Sequence, residues 1–595
     1  MRKIISLILS VLIVFSIAVT AFAEETANTY EPSVEGRYPT VIVPGLMQSK
    51  TRLYNEDGTE NTDVKAPFFI GNTDEIVSAA LKDVVVPLLK VLLLQEDVNG
   101  EFVESVSGLL CSVLGEKIKC DKNGDNVYDV QADRYLYSYA DCTPEEQKHI
   151  LDNLPITDLI ATVGGENVYY FSFNSFGNID KITDELYAYI QMVKEQTGSD
   201  KVNIVPISQG GSVCNNLLEY YPQVMADLNR IVYVIPALDG TEIISNLFKN
   251  GLLDDNDALY GYMMYDLLDE ETAPLVNIVL RMLPNKVVNA LLDVTVDKLI
   301  NDYLQNSTCI WAFATTADYE ELADKYLSDE GDEEIRRQAD RYQKARANSD
   351  ANILKAKNEY GVQVFDIVNY NDYLYKIVDC WDDVNADGII HLDSTSMGAY
   401  SLGVNVELPA DYVQQGNAYG TCSDPENHNH IDPIRTIDAS TALLPDHTFY
   451  FNGGDHEQSG RNDVMIKLVE ALVIDESIKD VYSCPDKFPQ FNNARITRGY
   501  IGDIEQAKAM LDTLDGQDKA DLEAVIASSE AMIADTVVDI EEHKTVSTEF
   551  YTVYDRVRGI EPATESFTDK MMNKLVTVLN SQVEKNVGYN SFSGK

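Results

Sequence analysis

Val202-Asn203-Ile204-Val205-Pro206-Ile207-Ser208-Gln209-Gly210-Gly211 is a buried-strand run that meets a serine and turns at once into a helix. The strand is predicted over Lys201 to Ile207. The helix is predicted over Gln209 to Tyr221, where Val213, Leu217 and Tyr221 keep helical register and Pro222 closes it. A serine on so tight a strand-to-helix turn sits in a strained backbone conformation with its hydroxyl pushed out above the sheet. Crowding then demands small residues two before and two after it. Gly210 and Gly211 meet the second demand. Pro206 stands where glycine is usual, and its fixed φ and missing N–H make this a variant of the turn. Ser208 is the candidate nucleophile; the bland alternative is a glycine-eased turn with no chemistry.

On either side of this turn, strands and helices alternate. Strands are predicted at Thr40–Val43, 168–173, 231–235, 362–368 and 447–451, and helices at 179–193 and 464–473. Alternation of this kind argues a doubly wound, mostly parallel α/β sheet covered by helices. Two long segments interrupt it, at about 48–165 and 241–355. The first holds an apolar helical stretch from Ile76 to Leu94. The second carries Leu247, Phe248, Leu252, Leu253, Met263, Met264, Leu267 and Leu268, then further apolar runs to Ile300. Both read as helical cap insertions, the second as a lid over a greasy site, although an ordinary helical subdomain has the same pattern. After Gly502 the composition turns to Ala, Asp, Glu and Leu, with a break at Gly516. Residues 503–595 are read as a separate helical C-terminal domain, a spacer or a docking platform for a partner.

A serine nucleophile needs a base, and the base needs a carboxylate to orient it. The chain has seven histidines. His456 follows the strand 447–451 through the turn Asn452-Gly453-Gly454-Asp455 and precedes a helix, so it is the preferred base; His447 begins that strand and reads as structural. The acid is expected in the loop 379–394, where Asp387 is the first choice and Asp382 and Asp383 are the alternatives. An oxyanion hole needs two backbone N–H groups. Gln209, next to the serine, supplies one. Leu46, in the turn Pro44-Gly45-Leu46-Met47 after the first strand, supplies the other.

Three stretches have metal-like spacing. Asp383-x-Asn385-x-Asp387-Gly388 is the first half of an EF-hand-type calcium loop, but its twelfth position is Ser394, not the bidentate Glu such a loop wants. Asp121, Asn123, Asp125 and Asp129 alternate well enough for structural calcium, with a misplaced glycine; a solvated acidic turn is the rival. Cys422 to Asp432 holds a His428-x-His430 pair of the kind that shares zinc, or else is an Asn/Asp/Pro-rich turn. No cofactor is required by the chemistry above.

Composition bounds the rest. The chain has 595 residues, enough for three or four domains at roughly 100–200 residues each, and 45% hydrophobic with 24% charged residues is globular. With 46 basic against 97 acidic residues the net charge is −51, which repels phosphate backbones and argues against nucleic-acid binding. Met1-Arg2-Lys3, the apolar run Ile4 to Val19 and Ala21-Phe22-Ala23 form a secretory signal peptide over residues 1–23, so the protein is expected outside the cell. Eight cysteines are too sparse for a disulfide scaffold, though an exported chain can form some bridges.

Together the stretches Val43-Pro44-Gly45-Leu46, Val205 to Gly211, Asp387-Gly388-Ile389-Ile390 with Ser394, and Gly454-Asp455-His456 resemble the α/β-hydrolase superfamily. The likeness is to its secreted lipase and esterase members of the lecithin–cholesterol acyltransferase-like branch. It covers about 38–47, 168–240 and 360–475. The resemblance implies an acyl-enzyme on Ser208, an Asp acid followed closely by Val or Ile, a cap after the strand ending near Ile235, and an acyl-ester or lipid-like substrate. Pro206, and Pro44 where many lipases have His, are departures. Because the superfamily includes inactive members, a calcium-stabilised extracellular binding protein on the same fold is the competing expectation.

Overall fold

A computed structural model describes residues 38–64, 66, 84–154, 156–249, 251, 281–457, 459–494, 498–534 and 540–558. The expected signal peptide at 1–23, the start of the apolar stretch at 76–83, all of 252–280 and the tail beyond 558 lie outside the described residues.

The core is a seven-stranded sheet in which every neighbouring pair is parallel. Its strands are β1 (Thr40–Val43), β4 (Val168–Tyr170), β5 (Val202–Pro206), β6 (Leu228–Val234), β7 (Gln363–Tyr370), β10 (Thr448–Asn452) and β11 (Phe491–Asn493). An antiparallel pair, β2 (Thr51–Tyr54) with β3 (Asp129–Ala132), lies in the first insertion, and β8 (Tyr400–Ser401) pairs with β9 (Ile437–Asp438). The sheet order is β4-β1-β5-β6-β7-β10-β11. The chain steps from β1 to β4 on one side, then returns to β5 on the other, so strand order reverses around β1. In open parallel sheets the crevice at such a switch, outside the carboxyl ends, is where ligands bind.

Because both faces are covered, these strands are near-continuous apolar runs. Alternate side chains feed two different cores. Val41, Val43, Ile204, Ile231 and Val364 pack with the helices Ile179–Thr197 and Gln209–Tyr220. Ile42, Val205, Val232, Phe365 and Phe449 pack on the opposite face with Leu159, Leu468 and Leu472. Asn178 caps the first of these helices by accepting from the backbone N–H groups of Asp180 and Lys181, and Gly198, at φ 68°, ends it. The predicted strands and helices are present within a few residues. β11 and the two small antiparallel pairs are not among the predicted strands.

The two insertions meet. Helices Val85–Leu94 and Glu101–Leu114 from the first pack with Asn285–Leu299 from the second in one apolar cluster, which also takes in Met47 from the turn after β1. At the C-terminus, Arg498–Met510, Gly516–Ala534 and Ile540–Arg558 enclose their own core of Tyr500, Ile504, Leu522, Ile526, Phe550 and Tyr554. Gly516, at φ 64°, makes the expected break. None of the eight cysteines is bridged. Among the described residues no helix is long and apolar enough to cross a membrane.

Candidate active site

Ser208 lies at the carboxyl end of β5 with φ 49° and ψ −114°, a conformation an L-residue adopts only under constraint. The constraint is visible. Its N–H donates to the Val234 carbonyl at 3.0 Å, and its own carbonyl accepts from Gly211 at 2.9 Å and Ala237 at 3.0 Å. The glycines are needed for close approach: a Cβ on Gly210 would stand 2.4 Å from the Val43 carbonyl oxygen, and one on Gly211 would stand 2.7 Å from Pro236 Cβ. Pro206 is accommodated as the last residue of β5, opposite Val43.

His456 reaches this serine from the turn after β10. Its Nε2 lies 3.0 Å from Ser208 Oγ, and its Nδ1 lies 2.7 Å from Asp387 Oδ2. The second Asp387 oxygen accepts from the backbone N–H groups of Ile389 at 3.1 Å and Ile390 at 2.8 Å, so the carboxylate is fixed from both sides. Asp387 is fully buried and His456 nearly so. Burial disfavours a charged imidazole, but the Asp387 carboxylate and its hydrogen bond, with Asp455 and Glu457 beyond, outweigh it and hold the His456 pKa above its ordinary value. The Nδ1 contact to an acceptor-only carboxylate puts the proton on Nδ1 and leaves the Nε2 lone pair toward Ser208. Gly454 is required here, since a Cβ on it would stand 2.1 Å from Asn369 Oδ1.

The turn after β1 closes against the serine. A Cβ on Gly45 would stand 3.0 Å from Ser208 Cβ and 3.5 Å from its Oγ. Gly45 N–H donates to Gln48 Oε1 at 2.6 Å, and Met47, at φ 60°, donates its N–H to Ser175 Oγ at 2.9 Å. The Gln209 side chain donates to the Ser175 carbonyl at 2.9 Å. Among the described residues no acceptor takes the backbone N–H of Leu46 or of Gln209. Ser175, which ties the β1 turn to the helix after Ser208, is absent from the sequence reading. No local motif marks it, because its two partners are 128 and 34 positions away.

Other candidates lie elsewhere. Asp382 and Asp383 are exposed and do not meet His456. In the EF-hand-like stretch 383–394 three of the expected ligand positions have other partners: Asn385 accepts from Asn371 N–H at 2.6 Å, Asp387 faces His456, and Ser394 donates to the Gly240 carbonyl at 2.8 Å. Asp121 closes its own turn on the N–H groups of Asn123 and Asp125, Asp125 pairs with Lys181, and Asp129 accepts from Gln131 at 2.7 Å. Among the described residues the metal-sized grouping of His, Cys, Asp and Glu side chains is Cys422, His428, His430 and Asp446, so the 121–129 carboxylates are not gathered into one. His447 is half-buried, edge-on to Phe365 and beside Lys357; burial, and then the Lys357 ammonium, lower its pKa to about 4.

No protein-family model matches the chain, and no curated protein does. Among solved structures it is similar to a chain from the crystal structure of the Tle4–Tli4 complex, at 11% identity and a TM-score of 0.33, over 73% of this chain and 97% of that one.

Proposed function

We propose that this chain is a secreted serine hydrolase of carboxylic esters, built on an α/β-hydrolase-type sheet and acting on acyl, lipid-like substrates. The observation that carries the reading is the continuous hydrogen-bonded chain from Ser208 through His456 to Asp387, anchored on a strained strand-to-helix turn. The order along the sequence, serine then aspartate then histidine, is the α/β-hydrolase order.

In the proposed mechanism Ser208 Oγ attacks the acyl carbonyl while His456 Nε2 takes its proton, and buried Asp387 stabilises the imidazolium. The oxyanion forms beside the Leu46 and Gln209 N–H groups, each typically worth about a hundredfold to a thousandfold in rate. His456 returns the proton to the leaving alcohol. Water then cleaves the acyl-enzyme by the same path in reverse. The apolar cluster joining both insertions to Met47, beside the proposed oxyanion donors, supports the lid reading and an apolar acyl group.

A fluorophosphonate, with the adduct mapped by mass spectrometry, tests this. Expected is labelling at Ser208 that is absent in Ser208→Ala and weakened in His456→Ala, with turnover of p-nitrophenyl esters of graded chain length. A cooperatively folded protein that is not labelled, with or without detergent micelles to open a lid, overturns the reading and leaves an inactive binding protein on this fold.

A further inference from the structure

The long connection between β8 and β9 carries three side chains that converge on a fourth just before β10. Cys422 Sγ lies 3.7 Å from His428 Nδ1, 3.4 Å from His430 Nε2 and 3.7 Å from Asp446 Oδ1. Asp446 Oδ1 lies 2.9 Å from His428 Nδ1 and 3.2 Å from His430 Nε2. His430 and Asp446 are almost wholly buried. We propose that Cys422, His428, His430 and Asp446 form a structural zinc site.

The first argument is shape. With zinc bonds of about 2.3 Å to sulfur and about 2.0–2.1 Å to nitrogen and oxygen, a tetrahedral site has S–N and S–O edges of about 3.5 Å and N–O edges of about 3.3 Å. The contacts above lie within a few tenths of an ångström of those edges. The second is that the single thiol proton does not account for the contacts of Cys422. A thiol has one proton, yet Sγ faces three acceptor-capable atoms at comparable range. Gln490 donates to the carbonyls of Pro445 at 2.8 Å and Thr448 at 3.3 Å, which turns its Oε1 toward His430 Nδ1 at 3.1 Å. A carbonyl there takes the Nδ1 proton, which leaves Nε2 as the ring atom aimed at Asp446 Oδ1 and Cys422 Sγ, the orientation a metal ligand needs. The third is the outer support such sites need: Gln490 on His430, and the Ser423 N–H on Asp446 Oδ2 at 2.6 Å, which leaves Oδ1 for the metal.

A thiolate with two imidazoles selects zinc over calcium or magnesium, and four protein ligands leave no open position for substrate. The site lies before Thr448 and His456 lies after Asn452, so the length of β10, about 13 Å, runs between them. It therefore staples the 401–437 connection to the sheet and takes no part in the chemistry at Ser208. The fourth ligand, Asp446, lies outside the 422–432 stretch; Asp432 instead accepts from the N–H groups of Thr436 and Ile437. The proposal stands whether or not the protein is a hydrolase.

The test uses the full chain purified without chelator from zinc-supplemented medium. Metal analysis is expected to give about one zinc per chain, lost in Cys422→Ala and in Asp446→Ala. Cobalt added to chelator-treated protein is expected to give the visible bands of tetrahedral cobalt and a sulfur-to-cobalt charge-transfer band that Cys422→Ala lacks. If the variants do not fold, the wild type decides: chelation should lower its Tm by several degrees, restored by zinc and not by calcium. A folded wild type holding well under one zinc per chain, a cobalt spectrum without the sulfur band, or a Tm restored by calcium alone would each overturn the proposal.

Discussion

Asp387 and His456 are bound to each other twice. The carboxylate Oδ2 meets the imidazole Nδ1 at 2.7 Å, and the Asp387 carbonyl accepts the His456 backbone N–H, also at 2.7 Å. The main-chain bond places the histidine loop against the acid loop whatever side chain stands at 387. The side-chain bond sets the tautomer and charge of the ring. Position and protonation are thus held by separate contacts and can be separated by mutation.

Asp387→Asn tests that separation. The backbone bond survives, so the fold and the Ser208–His456 distance should be kept and the Tm should move little. The amide offers Nδ1 a donor as readily as an acceptor, so the ring loses its enforced tautomer. Ester turnover is expected to fall by roughly four orders of magnitude with KM nearly unchanged. A Tm loss that tracks the activity loss would mean the carboxylate is structural instead.

The pH profile follows from the raised His456 pKa. The base must be neutral to take the serine proton, so kcat/KM should be low while the imidazole is charged and rise as pH passes through an inflection above about 6.5. In Asp387→Asn the carboxylate that raises the pKa is gone and burial remains, so the residual activity should show its inflection at lower pH. An inflection that does not move between the two proteins would remove His456 from the role of base.

One substitution, glycine to alanine, should have opposite signs at two positions. At Gly210 the new Cβ meets two backbone oxygens, Val43 at 2.4 Å and Pro44 at 3.1 Å, so the helix after Ser208 must back away from β1. Gly210→Ala is expected to cost about 1–3 kcal/mol and to abolish fluorophosphonate labelling. At Gly108, in the helix Glu101–Leu114, nothing lies within 4 Å of the added atom. Gly108→Ala is expected to stabilise by about 0.5–1 kcal/mol and leave labelling intact. Chemical denaturation of both variants reads the two signs.

What was legible in the sequence depended on how local the cause was. The strands β1, β5, β6 and β7 announce themselves because burial on both faces forces apolar runs, and Ser208 because a tight turn forces its glycines. His456 was reached by order along the chain, one turn past a readable strand. β11 gave no such signal: three half-buried residues, Phe491-Asn492-Asn493, join the sheet only because β10 lies beside them. The oxygen-rich loops at 121–129 and 383–394 had a calcium-like spacing, but spacing does not say which neighbour claims each side chain. Lys181, Asn371 and His456 did so from more than ten residues away. Asp446 was missed as a partner of Cys422 and the two histidines for the same reason, since it joins them across a loop.

The least local feature yields the sharpest stability prediction. Asp366 sits in the middle of β7 with no exposure, and among the described residues neither carboxylate oxygen has a hydrogen-bond partner. Burial pushes its pKa well above the usual carboxylate range, and the neighbouring Ile367 N–H, which lies outside hydrogen-bond geometry, opposes this only in part. A carboxyl whose folded pKa exceeds its unfolded value contributes its stability fully below the unfolded pKa, near 3.9, and loses it as pH rises toward the folded value. Asp366→Asn has no proton to lose. The two proteins should therefore differ little at pH 4, and the variant should gain on the wild type by about 1.4 kcal/mol per pH unit above that, until the folded pKa is reached. Comparing the pair cancels every other titrating group, because those are common to both. Melting curves from pH 4 to pH 8 supply the measurement; a difference between the two proteins that stays flat with pH would show that Asp366 is ionised in the folded state and finds a partner there.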